Sequence, residues 1–236
     1  EKTCKIDALI QKISKKLTLL KDKKNALINK TILEGIDSNK EFEKINDRFF
    51  NKKPKGWLFT KLRYYLSKVG AGHTPRGGSE VYVNDGVIFL RSQNIQFDGL
   101  SLKDVSKIEI ETHNSMISSQ VKKGDNLLNI TGGSIGRCCI ADLNDEMNIS
   151  QHVSILRTKK KLNNYFLNYF LQSHYGQEQV KYNLSGSNRE GLTIDSIKDF
   201  KLLLPSIDEQ IIIKNYLDDK LSLIEKIIVK EKEKLK

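Results

Sequence analysis

The stretch Ile6-Asp7-Ala8-Leu9-Ile10-Gln11-Lys12-Ile13-Ser14-Lys15-Lys16-Leu17-Thr18-Leu19-Leu20 sets the frame for the whole chain. Its apolar residues Ile6, Ile10, Ile13, Leu17 and Leu20 advance by four, three, four and three, and Leu27 continues the series with Lys24 in the slot between. Alternating steps of three and four keep one helix face apolar, so the spacing predicts a long helix with a coiled-coil seam over residues 1–35. Gly35 stands where that helix should stop, since glycine readily takes the left-handed conformation of a helix end. The far end of the chain repeats the device over 206–236. Ser206 is a candidate N-cap with Glu209 three residues on, and Leu217, Leu221, Ile224, Ile228 and Leu235 follow at seam spacing. Shifting the first helix by 211 residues lays Ile6 on Leu217, Asp7 on Asp218, Ile10 on Leu221, Ile13 on Ile224 and Leu17 on Ile228. Two readings stay open here: a true internal repeat, whose unit is a helix plus a globular block, or the alignment that any two heptad seams allow.

Between the helices the periodicity changes. Residues 36–56 read as a polar linker ending in Lys52-Lys53-Pro54-Lys55-Gly56, and Trp57, Phe59 and Leu62 open a block that runs to 205. Short apolar runs bounded by Gly, Asn and Asp predict strands at 87–91, 105–110, 126–131, 137–141 and 153–157. One helix is expected over 163–180, where Phe166, Leu167, Phe170 and Leu171 form a core stripe and His174 lies at its edge. The fold class is therefore α+β: a mixed domain of mostly short strands, flanked by two long helices with coiled-coil seams.

Forty Lys and Arg against 29 Asp and Glu give a net charge of +11 over 236 residues. The excess is +5 in residues 1–35, +6 in 36–205 and zero in 206–236, and all seven arginines fall in the middle block. Arginine suits bidentate contact with guanine edges and phosphates, so this distribution points to a nucleic-acid surface in the middle block. No apolar run approaches the roughly 18 residues of a membrane span and no signal-peptide pattern opens the chain, so a cytoplasmic, non-membrane protein is expected. Cys4, Cys138 and Cys139 are too few for a disulfide framework, and the four histidines lack metal-ligand spacing. The absence of an initiator methionine reads as a piece of something longer.

Catalytic motifs fail one by one. An adenine methyltransferase needs an Asn/Asp-Pro-Pro-aromatic loop, but Pro54, Pro75 and Pro205 are isolated. A nuclease of the Pro-Asp…(Asp/Glu)-x-Lys kind lacks its Pro-Asp pair. The run Gly132-Gly133-Ser134-Ile135-Gly136-Arg137 lacks the Gly-Lys-Ser/Thr ending of a phosphate-binding loop and reads as a turn between strands. Cys138 and Cys139 read as packing residues. What remains are four polar loops whose small residues permit close backbone approach and whose side chains suit base edges and phosphates. From these the candidate DNA contacts are Thr74 and Arg76; Arg91, Ser92, Gln93 and Asn94; Gln151; and Ser187, Asn188 and Arg189, with Lys159, Lys160 and Lys161 adding phosphate contacts.

Six strings carry a family resemblance: Gly72-His73-Thr74-Pro75-Arg76-Gly77-Gly78, Phe89-Leu90-Arg91-Ser92-Gln93-Asn94-Ile95, Gly124-Asp125-Asn126-Leu127-Leu128, Gly133-Ser134-Ile135-Gly136-Arg137, Asn148-Ile149-Ser150-Gln151 and Leu204-Pro205-Ser206-Ile207-Asp208-Glu209-Gln210. With them the chain resembles, over nearly its full length, a specificity subunit of a type I restriction-modification system. The resemblance implies a target recognition domain at 57–205 between conserved spacer helices, and a DNA-reading subunit without catalysis of its own. It also implies methyltransferase (M) and restriction (R) subunits as partners, with no cofactor in this chain and S-adenosylmethionine in the methyltransferase. The family pattern has two recognition domains joined by an antiparallel helix pair. This chain has one, so it resembles the C-terminal half of such a subunit or a natural half-subunit, paired through its long helices with a second copy, with a complementary half, or internally. A helix-mediated protein scaffold and a recognition domain from a fused restriction-methylation enzyme are the alternatives.

Overall fold

The computed structural model describes residues 2–185 and 191–235. Among these, the α-helices are α1 (Lys2–Glu34), α2 (Ile110–Ser115), α3 (Asn164–Gln172), α4 (His174–Ser185), α5 (Ile194–Lys198) and α6 (Ile207–Glu233). Helix α1 stops where expected: Gly35 takes φ +76°, and its N–H returns to the Thr31 carbonyl at 2.9 Å. At the start of α6 the Ser206 side chain accepts the Glu209 N–H at 3.2 Å. Only half of the expected capping box forms, because the Glu209 carboxylate turns away to take the Trp57 indole N–H at 3.0 Å and the Lys40 ammonium.

The two long helices pair antiparallel within the one chain. Lys16 meets Glu231 at 2.8 Å and Lys24 meets Glu225 at 2.6 Å, a register that runs down one helix as it runs up the other. Ile13, Ile28 and Ile32 of α1 are buried, as are Ile213, Leu217, Leu221, Ile224 and Ile228 of α6. The seam that the sequence offers to any partner is thus closed largely by the chain itself, which also removes the continuous apolar stripe a scaffold would present. It ends on Glu231, not Leu235. Leu235 is 41% exposed, whereas Glu231 is buried with Lys16 and Lys234 on its carboxylate.

Between the helices lie two main sheets. The first is a four-stranded antiparallel sheet in the order Cys138–Ile140, Asn126–Asn129, Val153–Thr158, Leu66–Ala71. Successive side chains in a strand face opposite ways, and here both faces are covered. Leu128, Cys138 and Leu156 join the core that α3 and α6 share, while Leu127, Cys139 and Ile155 pack toward the second sheet. That sheet has the order Gln120–Val121, Met147–Ile149, Val87–Leu90, Ser106–Ile108, Tyr82–Val83, with Met147–Ile149 parallel to Val87–Leu90. Lys201–Leu204 returns to pair antiparallel with Leu58–Lys61, closing the domain beside its point of origin.

Two expectations need correction. The helix expected over 163–180 is two helices. Asn163 caps α3, its side chain accepting the Tyr165 and Phe166 N–H groups at 2.9 and 3.1 Å, but Ser173 is extended (φ −67°, ψ 161°) and breaks the run. Its hydroxyl donates to the Phe170 carbonyl at 2.7 Å and receives the Gly176 N–H at 3.3 Å, so one side chain ends α3 and caps α4. The stretch 36–56 is also folded. Phe42–Lys44 and Lys52–Pro54 form a hairpin, and buried Phe50 stacks on Tyr175 with ring centroids 5.3 Å apart.

Candidate nucleic-acid interface

The strand order brings loops distant in sequence to one end of the domain. Because Val87–Leu90 and Met147–Ile149 run parallel, the loops that follow them leave the same edge, and the Ser150 N–H donates to the Leu90 carbonyl at 2.9 Å. The loop 72–76 lies against them: Gly72 N–H reaches the Val153 carbonyl at 2.9 Å and His73 N–H reaches Ile149 at 3.2 Å. Only glycine permits this approach, since a Cβ at position 72 would stand 2.0 Å from the Ile149 carbonyl oxygen. The glycine-rich run 130–137 joins as the turn expected from sequence, returning from Asn129 to Cys138. Its Ile130 N–H donates to the His152 carbonyl at 3.0 Å, and Thr131 Oγ1 lies 2.5 Å from His152 Nδ1. Gly191 bridges to Thr131. Ser187, Asn188 and Arg189 lie outside the described residues.

Thr74, Arg76, Gln93 and Gln151 are exposed on these converging loops. Ser92 is half-buried, and its carbonyl accepts the Asn129 side-chain amide at 2.8 Å. Arg91 is half-buried with its guanidinium 5.5 Å from the centre of the Tyr82 ring, a cation–π contact that aims the side chain. One assignment does not survive as a reader at this surface, and the expected phosphate contacts stand apart from it. Asn94 is 1% exposed, its Oδ1 taking the Arg91 N–H at 2.9 Å and its Nδ2 reaching the Ser101 carbonyl at 2.8 Å, so the amide is consumed in holding the turn. Lys159, Lys160 and Lys161 are exposed but follow the far end of Val153–Thr158. At about 3.3 Å per residue, those six residues place the lysines roughly 20 Å from Gln151.

The arginines divide by role. Arg157 forms a two-pronged pair with buried Asp125, both contacts at 2.7 Å, and that hydrogen bonding raises its pKa. Arg63 binds Asp199 at 2.7 Å. Their confinement to the middle block therefore reflects structural pairing as well as any ligand surface. Sequence reading passed over His73, Tyr82 and His152 as site residues. The two histidines stand inside the loop strings already singled out, whereas the two-residue strand at Tyr82 offers no period to read. Cys138 and Cys139 are buried packing residues, and burial pushes the Cys139 thiol up to about 12. Among the described residues, no group of three His, Cys, Asp or Glu side chains could hold a metal ion, and no helix is long and apolar enough to cross a membrane.

Fold and loops together define a small α+β domain, its polar loops gathered at one end, carried on a helix pair. Residues 108–236 match the family model for the type I restriction modification DNA specificity domain, and the chain belongs to that family. The chain is 25% identical to the type I restriction enzyme MjaVIII specificity subunit of Methanocaldococcus jannaschii, across 97% of its own length and 53% of the relative's. Similar solved structures include a chain from work on complex assembly and conformational transition of the type I R-M system (TM-score 0.66, 18% identity, 98% of this chain and 53% of that one). The HsdS subunit from Thermoanaerobacter tengcongensis is similar as well (TM-score 0.60, 17% identity, 97% and 49%). The S subunit from M. genitalium shares the fold too (TM-score 0.57, 12% identity, 96% and 54%). The chain spans about half the length of each of these relatives.

Proposed function

We propose that this chain reads one half of a split DNA site through the loops 72–76, 91–94, 130–137 and 150–152, in the cytoplasm, and has no catalytic step of its own. The observation that carries the reading is the convergence of these loops, which come from both main sheets, at one end of the domain, with Thr74, Arg76, Gln93 and Gln151 exposed and Arg91 held over Tyr82. Methyl transfer and cleavage then belong to methyltransferase and restriction subunits, with S-adenosylmethionine bound in the former. The test is an unbiased selection of duplexes bound by the purified chain, repeated over a range of salt. A selected sequence should emerge, and log affinity should fall linearly with log salt by about 0.9 per phosphate contact. Binding that ignores both sequence and salt would refute the reading.

The helix pair supports a second recognition half as partner. Leu221, on α6, is 8% exposed, while Ile10, its counterpart at the 211-residue shift, is 46% exposed. Asp218 is engaged by Tyr169 and Lys214, whereas its counterpart Asp7 is exposed. The α1 face that carries Asp7 and Ile10 is thus the equivalent of the α6 surface on which this chain's own domain rests. Ile10→Asp should leave the chain folded and abolish its association with a complementary half in sedimentation. Unchanged association would exclude this surface.

A further inference from the structure

The turn that follows Val87–Leu90 is held by two buried amides, and they act differently. Asn94 closes the turn and fastens it to Ser101 a few residues on. Asn129 ties it to another loop. The residue is the last of the strand Asn126–Asn129, its side chain is fully buried, and its Nδ2 donates to the Ser92 carbonyl at 2.8 Å and to the Ser134 hydroxyl at 2.9 Å. Its backbone closes the glycine-rich loop at the same point, with its N–H on the Arg137 carbonyl at 2.8 Å and its carbonyl taking the Gly136 N–H at 2.9 Å. One residue therefore fixes the spacing between the 91–94 turn and the 130–137 loop.

The Asn129 Oδ1, by contrast, is buried without a hydrogen-bond partner, as are Ser150 Oγ and Arg91 Nε in the same loop cluster. A buried acceptor left unmatched carries a desolvation penalty that a leucine of similar volume would avoid. What the amide adds over leucine is directional: a fixed distance between two loops that present side chains to solvent. We infer that Asn129 is a positioning residue for base preference, setting where the Arg91 guanidinium and the Gln93 amide stand without itself reaching the ligand. The inference rests on the proposed reading of these loops as DNA-facing.

The experiment compares the intact chain with Asn129→Leu and Ser134→Ala. Each is tested for thermal unfolding, for discrimination between the selected duplex and its single-base-pair variants, and for affinity toward an unrelated duplex. Asn129→Leu should remain folded, lose discrimination about tenfold at the base pairs assigned to Arg91 and Gln93, and keep its affinity for unrelated duplex within about twofold. Ser134→Ala removes one of the two hydrogen bonds and should shift discrimination the same way by less, so the inference stays testable if the leucine variant does not fold. A purely structural role would lower specific and unrelated binding together with the folded fraction, and that result overturns the proposal. So does wild-type discrimination in either variant. If the wild-type chain itself prefers no sequence, the DNA reading fails first and takes this inference with it.

Discussion

The Tyr169 hydroxyl donates to the Asp218 carboxylate at 2.5 Å, fastening α3 of the recognition domain to the long helix that leaves it. Lys214 holds the other Asp218 oxygen at 2.7 Å, and burial, reinforced by the bond to Asp218, pushes the tyrosine pKa up, so the hydroxyl remains a donor at any physiological pH. Tyr169→Phe removes the bond while preserving the ring. A loss of about 1 to 2 kcal/mol in urea unfolding is expected for a hydrogen bond to a charged group in a partly buried place; an unchanged midpoint would show that the junction does not depend on it.

Asn94 and Gln93 are adjacent in sequence and opposite in role. Asn94→Ala deletes two buried hydrogen bonds and should cost roughly 2 to 3 kcal/mol of stability. Gln93→Ala should leave stability within about 0.5 kcal/mol but weaken the preference at one base pair by about 1 to 3 kcal/mol. Equal effects of the two substitutions on unfolding would contradict the division.

Lys159, Lys160 and Lys161 stand beyond the far end of the strand that begins beside Gln151. Replacing all three with glutamine should leave base preference intact and flatten the dependence of log affinity on log salt, by up to about 0.9 for each phosphate that a lysine neutralises. A changed base preference would place them nearer the reading loops than the strand length allows.

Because the helix seam closes within the chain, Leu221→Asp or Ile228→Asp should damage the monomer itself. Poorer packing plus a buried carboxylate should cost about 3 kcal/mol or more, visible as a drop in helical circular dichroism on mild heating. A variant of wild-type melting temperature that merely falls from a larger assembly to a smaller one would make the seam intermolecular.

Cys138 and Cys139 point to opposite faces of one strand and both are sealed. Burial disfavours the thiolate, raising the Cys139 pKa to about 12 and moving Cys138 in the same direction. At pH 8 both thiols therefore stay protonated and should resist alkylation in the native state but react fully in denaturant, as peptide mapping would show. Fast native labelling at either position would mean that the middle sheet opens readily.

The long helices are legible in the sequence because thirty residues of heptad spacing leave little room for another reading. The strands near 87, 106, 126, 138 and 153 are legible as buried apolar runs, with boundaries off by a residue or two. The two-residue strands at Tyr82–Val83, Ile95–Gln96, Gly99–Leu100 and Gln120–Val121 are too short to show a period. The break at Ser173 is invisible because the apolar spacing runs on through it. Composition finds the loops that converge, but not which of their side chains face outward: Asn94 has the chemistry of a reader, and only its burial shows otherwise. Lys159, Lys160 and Lys161 have the charge for phosphate contact, and only the strand Val153–Thr158 shows how far they stand from Gln151.

The bond from the Trp57 indole to Glu209 joins the residue that precedes the strand Leu58–Lys61 to the first turn of α6. Chain arrival and chain departure therefore share one narrow neck, closed by Trp57, Lys40 and Glu209 and by the pairing of Leu58–Lys61 with Lys201–Leu204. A domain hung in this way can be cut out and replaced by another at a single joint, with the helix pair left to register as before. On the proposed reading, exchanging one cassette of coding sequence at that joint changes what is read and leaves the helix pair as it was.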